Sequence, residues 1–529
     1  MKKWFLKNKS TLYWVVVSII FVVLAYIQYY GLITYKYLVP PGDDPANHLA
    51  MIQPIYDHTQ SIWEIIRRGD YPPGFHLFIS SIAHFLNVTP LKTILWFYPS
   101  ILVLTSLSVF ILCYRVFGRW AALVALILYS FISRTPAQLL NDGGYPNLLA
   151  ASFLLPIFII FFLEVFQKKW WRKILGIFGS FLLAGLILFT HHLSSIYLIG
   201  IVSMSLPFLI IGAGISNRWK LKKWIVIAFF TLVFIYLLGL FFVKSEAFAP
   251  TRDLMKGMVE LISSFPYLKI VGKADPYAFW PLNSYPYLIG KSVFLFGFLG
   301  VFLLPVFLWK KKKEYMYPYI LLSIWTIILF IISRLGFLSN PERAARDLAA
   351  PLSILGGALI VQIILLPSES SLAKWIRYLY YLSLLLLLIF LSAPNFSERF
   401  EKEFQYEPMV RYTSADNSIV KYLNTQPSGS IIVGSLNYYV SNYLTGWDIH
   451  YLYGMTEEEK KLVFNPNNSY SRDFLKQFDY FYFVSNQSGW TPPVVRYDFI
   501  KEYVEIPDFE LIMVEQSDTN EVLLYKVKK

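Results

Sequence analysis

The chain reads Pro40-Pro41-Gly42-Asp43-Asp44-Pro45-Ala46-Asn47-His48 soon after its first long apolar run, Thr11–Tyr30. About 20 apolar residues are enough to cross a bilayer as a helix. Two adjacent carboxylates and a histidine therefore follow the point at which the chain leaves the membrane. A second polar, proline-rich patch begins about thirty residues later and reads Gly69-Asp70-Tyr71-Pro72-Pro73-Gly74-Phe75-His76. We expect a large first loop, residues 34–91, between the first two spans.

Composition places the chain in the membrane class. It has 529 residues, 56% hydrophobic and 15% charged, with a mean hydropathy of +0.49, whereas soluble domains carry roughly 45–50% apolar residues. The net charge of +13 lies in short basic clusters between apolar runs, which argues against nucleic-acid binding. Cys113 is the single cysteine, so an intramolecular disulfide is excluded.

Apolar runs predict about eleven transmembrane helices by the length rule. They fall at about 11–33, 92–113, 120–133, 147–166, 174–190, 195–214, 224–243, 290–309, 317–333, 348–366 and 378–393.

Basic residues alternate between the loops, which predicts the orientation. With the N-terminus in the cytoplasm, each basic cluster falls on the inner side, as the positive-inside rule requires. We therefore expect a multi-pass protein of the cell (plasma) membrane. The opposite, outer side gathers the groups that could carry chemistry: Asp43, Asp44, His48, His76, Asp142, His191, His192, Arg343 and Arg346.

The composition changes at about Pro394, which predicts two domains, a membrane domain at 1–393 and an extracytoplasmic α/β domain at 394–529. In the second domain the patterns predict three helices, at 416–423, 437–444 and 471–478. They also predict strands at 430–433 and 480–484, and a closing hairpin at 509–515 and 522–527. Since it has neither a GxGxxG motif nor a phosphate loop, we assign it no nucleotide.

Asp43 and Asp44 are the candidate catalytic residues. One carboxylate can take the proton of an acceptor hydroxyl while its neighbour orients the acceptor or binds a cation. We assign the base to Asp43 and the partner role to Asp44. The alternative is an ordinary solvated Asp-Pro turn.

A first helix, an acidic pair that opens a large outer loop, and Tyr71-Pro72-Pro73 before the next apolar run resemble the GT-C superfamily of membrane glycosyltransferases. The closest resemblance is to the branch of protein O-mannosyltransferases and lipid A aminoarabinose transferases. The resemblance implies transfer of a sugar from a polyprenyl-phosphate carrier, with a catalytic aspartate that matches Asp43 or Asp44. It also implies an outer arginine facing the carrier phosphate, which Arg343 or Arg346 matches.

The chain departs from one group of these relatives. It lacks the sequence Trp-Trp-Asp-Tyr-Gly, and its Trp170-Trp171 pair falls in a basic inner loop. This argues against an oligosaccharyltransferase that acts on protein asparagine, and it leaves the acceptor undefined.

Further polar residues are expected to support the site. Arginine binds phosphate through a planar, bidentate fork, although Arg343 and Arg346 could instead pair with the acids beside them. His191 and His192 could contact phosphate, metal or acceptor, or simply pack at a helix end; His48 and His76 are weaker candidates. Asp44 and Asp142 are the candidate ligands of a divalent cation, Mg²⁺ or Mn²⁺.

We thus expect a polytopic α-helical, GT-C-like membrane glycosyltransferase of the cell envelope with a C-terminal extracytoplasmic α/β domain. Its partners would be a polyprenyl-phosphate-linked sugar, membrane lipids and a lipid, glycan or protein acceptor. One rival is a transporter or flippase of lipid-linked sugars, which should place ionisable residues near mid-membrane. The other is a non-catalytic membrane scaffold.

Overall fold

The structure is a computed structural model. It describes residues 9–34, 37–42, 44–59, 64, 71–167, 169–217, 281–309, 316–334, 341–366, 374–405, 412–434, 439–452, 455–484, 503, 506–516 and 521–529.

Within these residues, the regular elements of the first part of the chain are helices joined by short turns and loops. Its helices are α1 Lys9–Thr34, α2 Asp44–Tyr56, α3 Gly74–Leu86, α4 Pro90–Phe117, α5 Arg119–Ile127, α6 Thr135–Asn141, α7 Tyr145–Glu164, α8 Trp170–Thr190, α9 His192–Asn217, α10 Tyr285–Ile289, α11 Lys291–Trp309, α12 Met316–Arg334, α13 Pro341–Asp347, α14 Ala349–Leu365 and α15 Lys374–Gln405. The helix α5 continues as a π-helical turn at Leu128–Ile132, and α7 is π-helical at Leu148–Leu154.

The protein is a multi-pass membrane protein. Eight helices within the described residues are long and apolar enough to cross a bilayer, and α5 and α6 meet the same criterion only when taken together, with a bend of 46° at the break between them. The predicted span at 195–214 corresponds to α9. The predicted span at 224–243 lies outside the described residues.

Two helices pack closely through glycines. A Cβ on Gly297 of α11 would lie 2.7 Å from the carbonyl oxygen of Leu352 on α14, and one on Gly300 would lie 2.8 Å from that of Leu355. In a bilayer, small residues at a helix interface allow this close backbone approach. Since α14 directly follows α13, this contact also fixes the position of α13.

The C-terminal region is an α/β domain, as the sequence predicts. Its elements are α16 Ser414–Leu423, β1 Ser430–Val433, α17 Val440–Tyr443, β2 Asp448–Tyr451, α18 Glu457–Phe464, α19 Ser469–Leu475, β3 Tyr480–Val484, β4 Phe509–Gln516 and β5 Glu521–Val527. The sheet order is β2-β1-β3-β5-β4. The strand β1 pairs parallel with β2 and β3, and β5 pairs antiparallel with β3 and β4.

The two faces of this sheet bury different cores. Ile431 and Tyr482 point to the face that shares one continuous core with Tyr37 and Val39 of the first loop. Alternate residues, such as Phe481, point to a second core beneath α18 and α19. Because successive side chains of a strand face opposite ways, the sheet joins the helix bundle through one face.

The predicted domain boundary at 393/394 falls inside α15, which continues to Gln405. The first loop contains α2 and α3, which pack together. The limits 1–393, 34–91 and 394–529 stay predictions. The sequence missed β2 and α18.

Candidate active site

The first and second loops cross at two glycines. Gly42 has φ +97°, and a Cβ there would lie 2.7 Å from the carbonyl carbon of Asp142. Gly143 has φ +86°. A Cβ there would lie 2.9 Å from the Cβ atom of Asp44 and would overlap with the ring of Pro45. Only glycine combines this backbone conformation with such close approach. The crossing therefore brings Asp44 and Asp142 to one place.

Both arginines of α13 reach these acids. Arg343 Nη2 lies 3.5 Å from Asp44 Oδ2, and Arg346 Nη1 donates to Asp142 Oδ2. Arg346 also donates from Nε and Nη2 to Glu342 Oε1, at 3.0 and 2.5 Å. The side chains of Asp44 and Arg343 remain 39% and 33% exposed, so a ligand can reach both charges.

A buried carboxylate anchors the same helix. Asp347, the last residue of α13, accepts hydrogen bonds from Asn147 Nδ2 at 3.0 and 3.3 Å. Asn147 and Asp347 are both buried. This bond ties α13 to the start of α7, the helix that follows the second loop.

Histidines and Tyr71 form an aromatic cluster beside the acids. His48 Nδ1 and His76 Nε2 lie 3.1 Å apart. The Tyr71 ring centroid lies 5.6 to 6.3 Å from those of His48, His76, His191 and His192. Gly74 brings these groups together, because a Cβ there would meet the carbonyl oxygen of Phe189 at 2.6 Å.

The environment keeps these imidazoles neutral. Burial lowers the pKa of His76 to about 4. Burial, followed by the neighbouring His76 and Arg343, lowers the pKa of His48 well below its usual value. Desolvation also lowers the pKa of His191 well below its usual value. His191 Nδ1 shares a hydrogen bond of 3.0 Å with Ser194 Oγ. These histidines are therefore hydrogen-bonding groups at neutral pH and carry no positive charge for a phosphate.

Asp44 and Asp142, the candidate ligands of a divalent cation, each have an arginine beside them. No three histidine, cysteine, aspartate or glutamate side chains among the described residues are grouped as ligands. Asp142 is bonded to Arg346, and Asp44 faces Arg343, so guanidinium groups already neutralise both carboxylates. The predicted use of Mg²⁺ or Mn²⁺ by Asp44 and Asp142 stays a prediction.

Eight of the nine residues singled out in the sequence thus lie in one region. They are Asp44, His48, His76, Asp142, His191, His192, Arg343 and Arg346. The ninth, Asp43, lies outside the described residues. The sequence did not predict the contacts of Asn147, Tyr145, Tyr439 and Tyr443. Only Tyr145 belongs to a run that stood out, the outer-loop sequence Asn141-Asp142-Gly143-Gly144-Tyr145-Pro146.

The family model for a family of unknown function, DUF6541, matches residues 4–331. The chain belongs to this family. A search of curated proteins finds no match.

Solved structures identify the fold. The chain is similar to the archaeal oligosaccharyltransferase AglB from Archaeoglobus fulgidus, in complex with an inhibitory peptide and a dolichol-phosphate, with TM-score 0.56 and 15% identity over 90% of this chain and 70% of that one. It is also similar to ArnT from Cupriavidus metallidurans bound to undecaprenyl phosphate, with TM-score 0.52 and 14% identity over 97% and 98%. A third neighbour is the mycobacterial arabinofuranosyltransferase AftD, with TM-score 0.53 and 11% identity over 97% of this chain and 40% of that one. All three are GT-C glycosyltransferases, and this DUF6541 chain has the GT-C fold, as the sequence resemblance predicts.

Proposed function

We propose that this protein is an integral membrane glycosyltransferase that moves a sugar from a polyprenyl-phosphate carrier to a lipid, glycan or protein acceptor on the outer face. The observation that carries the proposal is the pairing of two loop acids with two arginines of one short helix within the GT-C fold. AglB and ArnT, which share that fold, are complexed with dolichol-phosphate and undecaprenyl phosphate.

The arrangement suits displacement of a phosphate. The acceptor hydroxyl oxygen forms a bond to the anomeric carbon, the bond from that carbon to the phosphate oxygen breaks, and polyprenyl phosphate leaves as an anion. A carboxylate takes the hydroxyl proton; we assign that step to Asp43, with Asp44 as its partner. Arg343, which is one-third exposed beside Asp44, supplies charge-assisted hydrogen bonds to the departing phosphate.

The second arginine plays a different part in this proposal. Arg346 is bonded to both Glu342 and Asp142, so most of its donors are already used. It holds α13 against the second loop, and only its remaining N–H groups are available to the phosphate. His191 and His192 close the site beside Tyr71, with His48 and His76 behind them.

The test is sugar transfer by purified protein in liposomes, with a panel of polyprenyl-phosphate sugars. We expect Asp43→Asn and Asp44→Asn each to lower transfer at least about 100-fold, the usual contribution of a positioned general base. Asp57→Asn is the matched control, because Asp57 lies in the same loop but is exposed and bonds to Gln53. Its transfer should equal that of the wild type.

Two results would count against the proposal. Full transfer by both Asp43→Asn and Asp44→Asn removes the catalytic assignment. Carrier binding without turnover across the whole panel favours a transporter. A parallel EDTA lane tests the cation: loss of transfer that Mg²⁺ or Mn²⁺ restores would establish a metal requirement, and unchanged transfer would exclude one.

A further inference from the structure

Tyrosine hydroxyls hold the backbone that leads to the acidic pair. Tyr443 donates to the carbonyl oxygen of Leu38 at 2.9 Å, and Tyr439 donates to that of Pro40 at 3.2 Å. Tyr145 of α7 reaches the carbonyl oxygen of Pro41 at 3.5 Å. Three carbonyl groups within four residues are therefore held by tyrosines from distant parts of the chain.

The segment depends on such outside partners. Residues 37–42 form neither helix nor strand, and Pro40 and Pro41 have no N–H group with which to form one. Buried backbone carbonyls need hydrogen-bond donors, and the bonds to Pro40 and Pro41 are buried, whereas the bond to the exposed Leu38 is open to solvent. The donors that it finds therefore fix its path up to Gly42, after which the sequence continues with Asp43 and Asp44.

Two of these donors belong to the C-terminal domain. Tyr439 immediately precedes α17 and Tyr443 ends it, so one helical turn presents both hydroxyls. Tyr439 is fully buried, and the Tyr443 ring stacks on Tyr412 at a centroid distance of 4.6 Å. The helix α17 therefore contacts the segment that leads to the acidic pair.

We propose that Tyr439 and Tyr443 are positioning residues through which the C-terminal domain sets the geometry of the catalytic aspartates. The proposal rests on the proposed transferase function for its kinetic consequence. The tyrosines touch neither donor nor acceptor. Their hydroxyls fix the carbonyls of Leu38 and Pro40, which stand five and three residues before Asp43.

The experiment compares Tyr439→Phe with Tyr443→Phe, singly and combined, in full-length protein in liposomes. Each change removes one hydroxyl and keeps the ring packing. The control is Tyr503→Phe, because Tyr503 is equally buried in the same domain and donates to the carbonyl of Val463 at 2.7 Å, away from the loop. We measure kcat, the KM for the carrier-linked sugar, and hydrogen–deuterium exchange of the peptide that spans residues 37–44.

The double variant should lose between about 10-fold and 100-fold in kcat, the scale of a small misplacement of a catalytic group. Its KM for the carrier should stay within about twofold of the wild-type value, and exchange in residues 37–44 should be faster. Tyr503→Phe should change none of these. Unchanged kcat in the double variant overturns the proposal, and so does an equal loss in Tyr503→Phe, which would indicate general destabilisation of the domain.

The two proposals fail in different ways. If wild-type protein transfers no sugar from any carrier, the transferase function fails, and exchange alone then decides the positioning role. Faster exchange of residues 37–44 in the double variant, with no change elsewhere in the membrane domain, supports the tether. Exchange equal to that of the wild type overturns it.

Discussion

The buried histidines His48 and His76 make the stability of the protein depend on pH. Their imidazoles are buried against each other and both have a lowered pKa, about 4 for His76, whereas an unfolded chain binds the proton near pH 6.5. Below pH 6.5 the unfolded state therefore binds more protons than the folded state, and the free energy of unfolding falls as the pH drops. Each histidine accounts for at most about 1.4 kcal/mol per pH unit.

Melting temperatures in detergent between pH 7.5 and 5 check this prediction. The wild type should lose stability as the pH falls, and His76→Gln should show a shallower slope because one titrating group is gone. Phe85→Leu is the control, since Phe85 is exposed on the same helix as His76 and has no titrating group, and it should keep the wild-type slope. A slope unchanged by His76→Gln would contradict the buried, neutral pair.

At the residue level, the acids and arginines of the candidate site could be predicted from the sequence, but which acid contacts which arginine could not. Charged groups at the ends of apolar runs stand out in any membrane protein, which is why Asp44, Asp142, Arg343 and Arg346 were visible. The bond between Arg346 and Asp142 joins positions 204 residues apart. Nothing local encodes such a contact, because it depends on how the helices pack.

At the level of structural elements, Gly143 allows the second loop to pack against the first. Gly143→Ala combines a strained φ of +86° with a collision against Asp44 and Pro45, so we expect transfer to fall at least about tenfold as Asp44 is displaced. Gly118→Ala is the matched control, since Gly118 has φ +88° with nothing within 4 Å of its Cβ position. It should cost about 1–3 kcal/mol of stability and leave kcat unchanged. Equal losses of transfer in both variants would trace the effect to backbone strain alone.

The close packing of α11 on α14 predicts that a larger residue at position 297 destabilises the protein. Gly297→Val would push its side chain into Leu352, and overpacking of this kind costs about 1–3 kcal/mol. The melting temperature in detergent should fall, and transfer should fall with it because α13 precedes α14. Gly185→Val, where nothing lies within 4 Å, should leave both unchanged. An unchanged melting temperature in Gly297→Val would contradict the close packing of α11 on α14.

Helices and strands were predicted correctly where the hydrophobic pattern was strong. They were missed where tertiary packing, and not the local pattern, determines the structure. Long apolar runs gave the spans, and the aromatic run at β3 gave its strand. The edge strand β2 reads Asp448-Ile449-His450-Tyr451 and is partly exposed, so its weak alternation did not distinguish it from a loop. The π-helical stretch Leu148–Leu154 has no signature in apolar periodicity.

The whole molecule has two chemically different ends. At one end lie the acids, α13 and the C-terminal domain. At the other, Glu164 binds Arg115 Nη2 at 2.7 Å and Arg172 Nε at 2.6 Å, which joins α4, α7 and α8. Arg115 ends α4 and Arg172 begins α8, next to two basic loops that charge alternation assigns to the same inner side. Their shared carboxylate requires both arginines to be on one side of the membrane.

The orientation itself can be tested with cysteine labelling, because Cys113 is the single cysteine and is buried. In a Cys113→Ser background, Tyr470→Cys reports on the C-terminal domain, where Tyr470 is 70% exposed, and Lys169→Cys reports on the exposed loop before α8. A membrane-impermeant maleimide applied to intact cells should label Tyr470→Cys and spare Lys169→Cys, because the positive-inside rule places Lys169 in the cytoplasm. Permeabilised cells should label both, and the background variant neither. Labelling of Lys169→Cys alone in intact cells would invert the topology and place the acids on the cytoplasmic face, where the proposed acceptor site could not be.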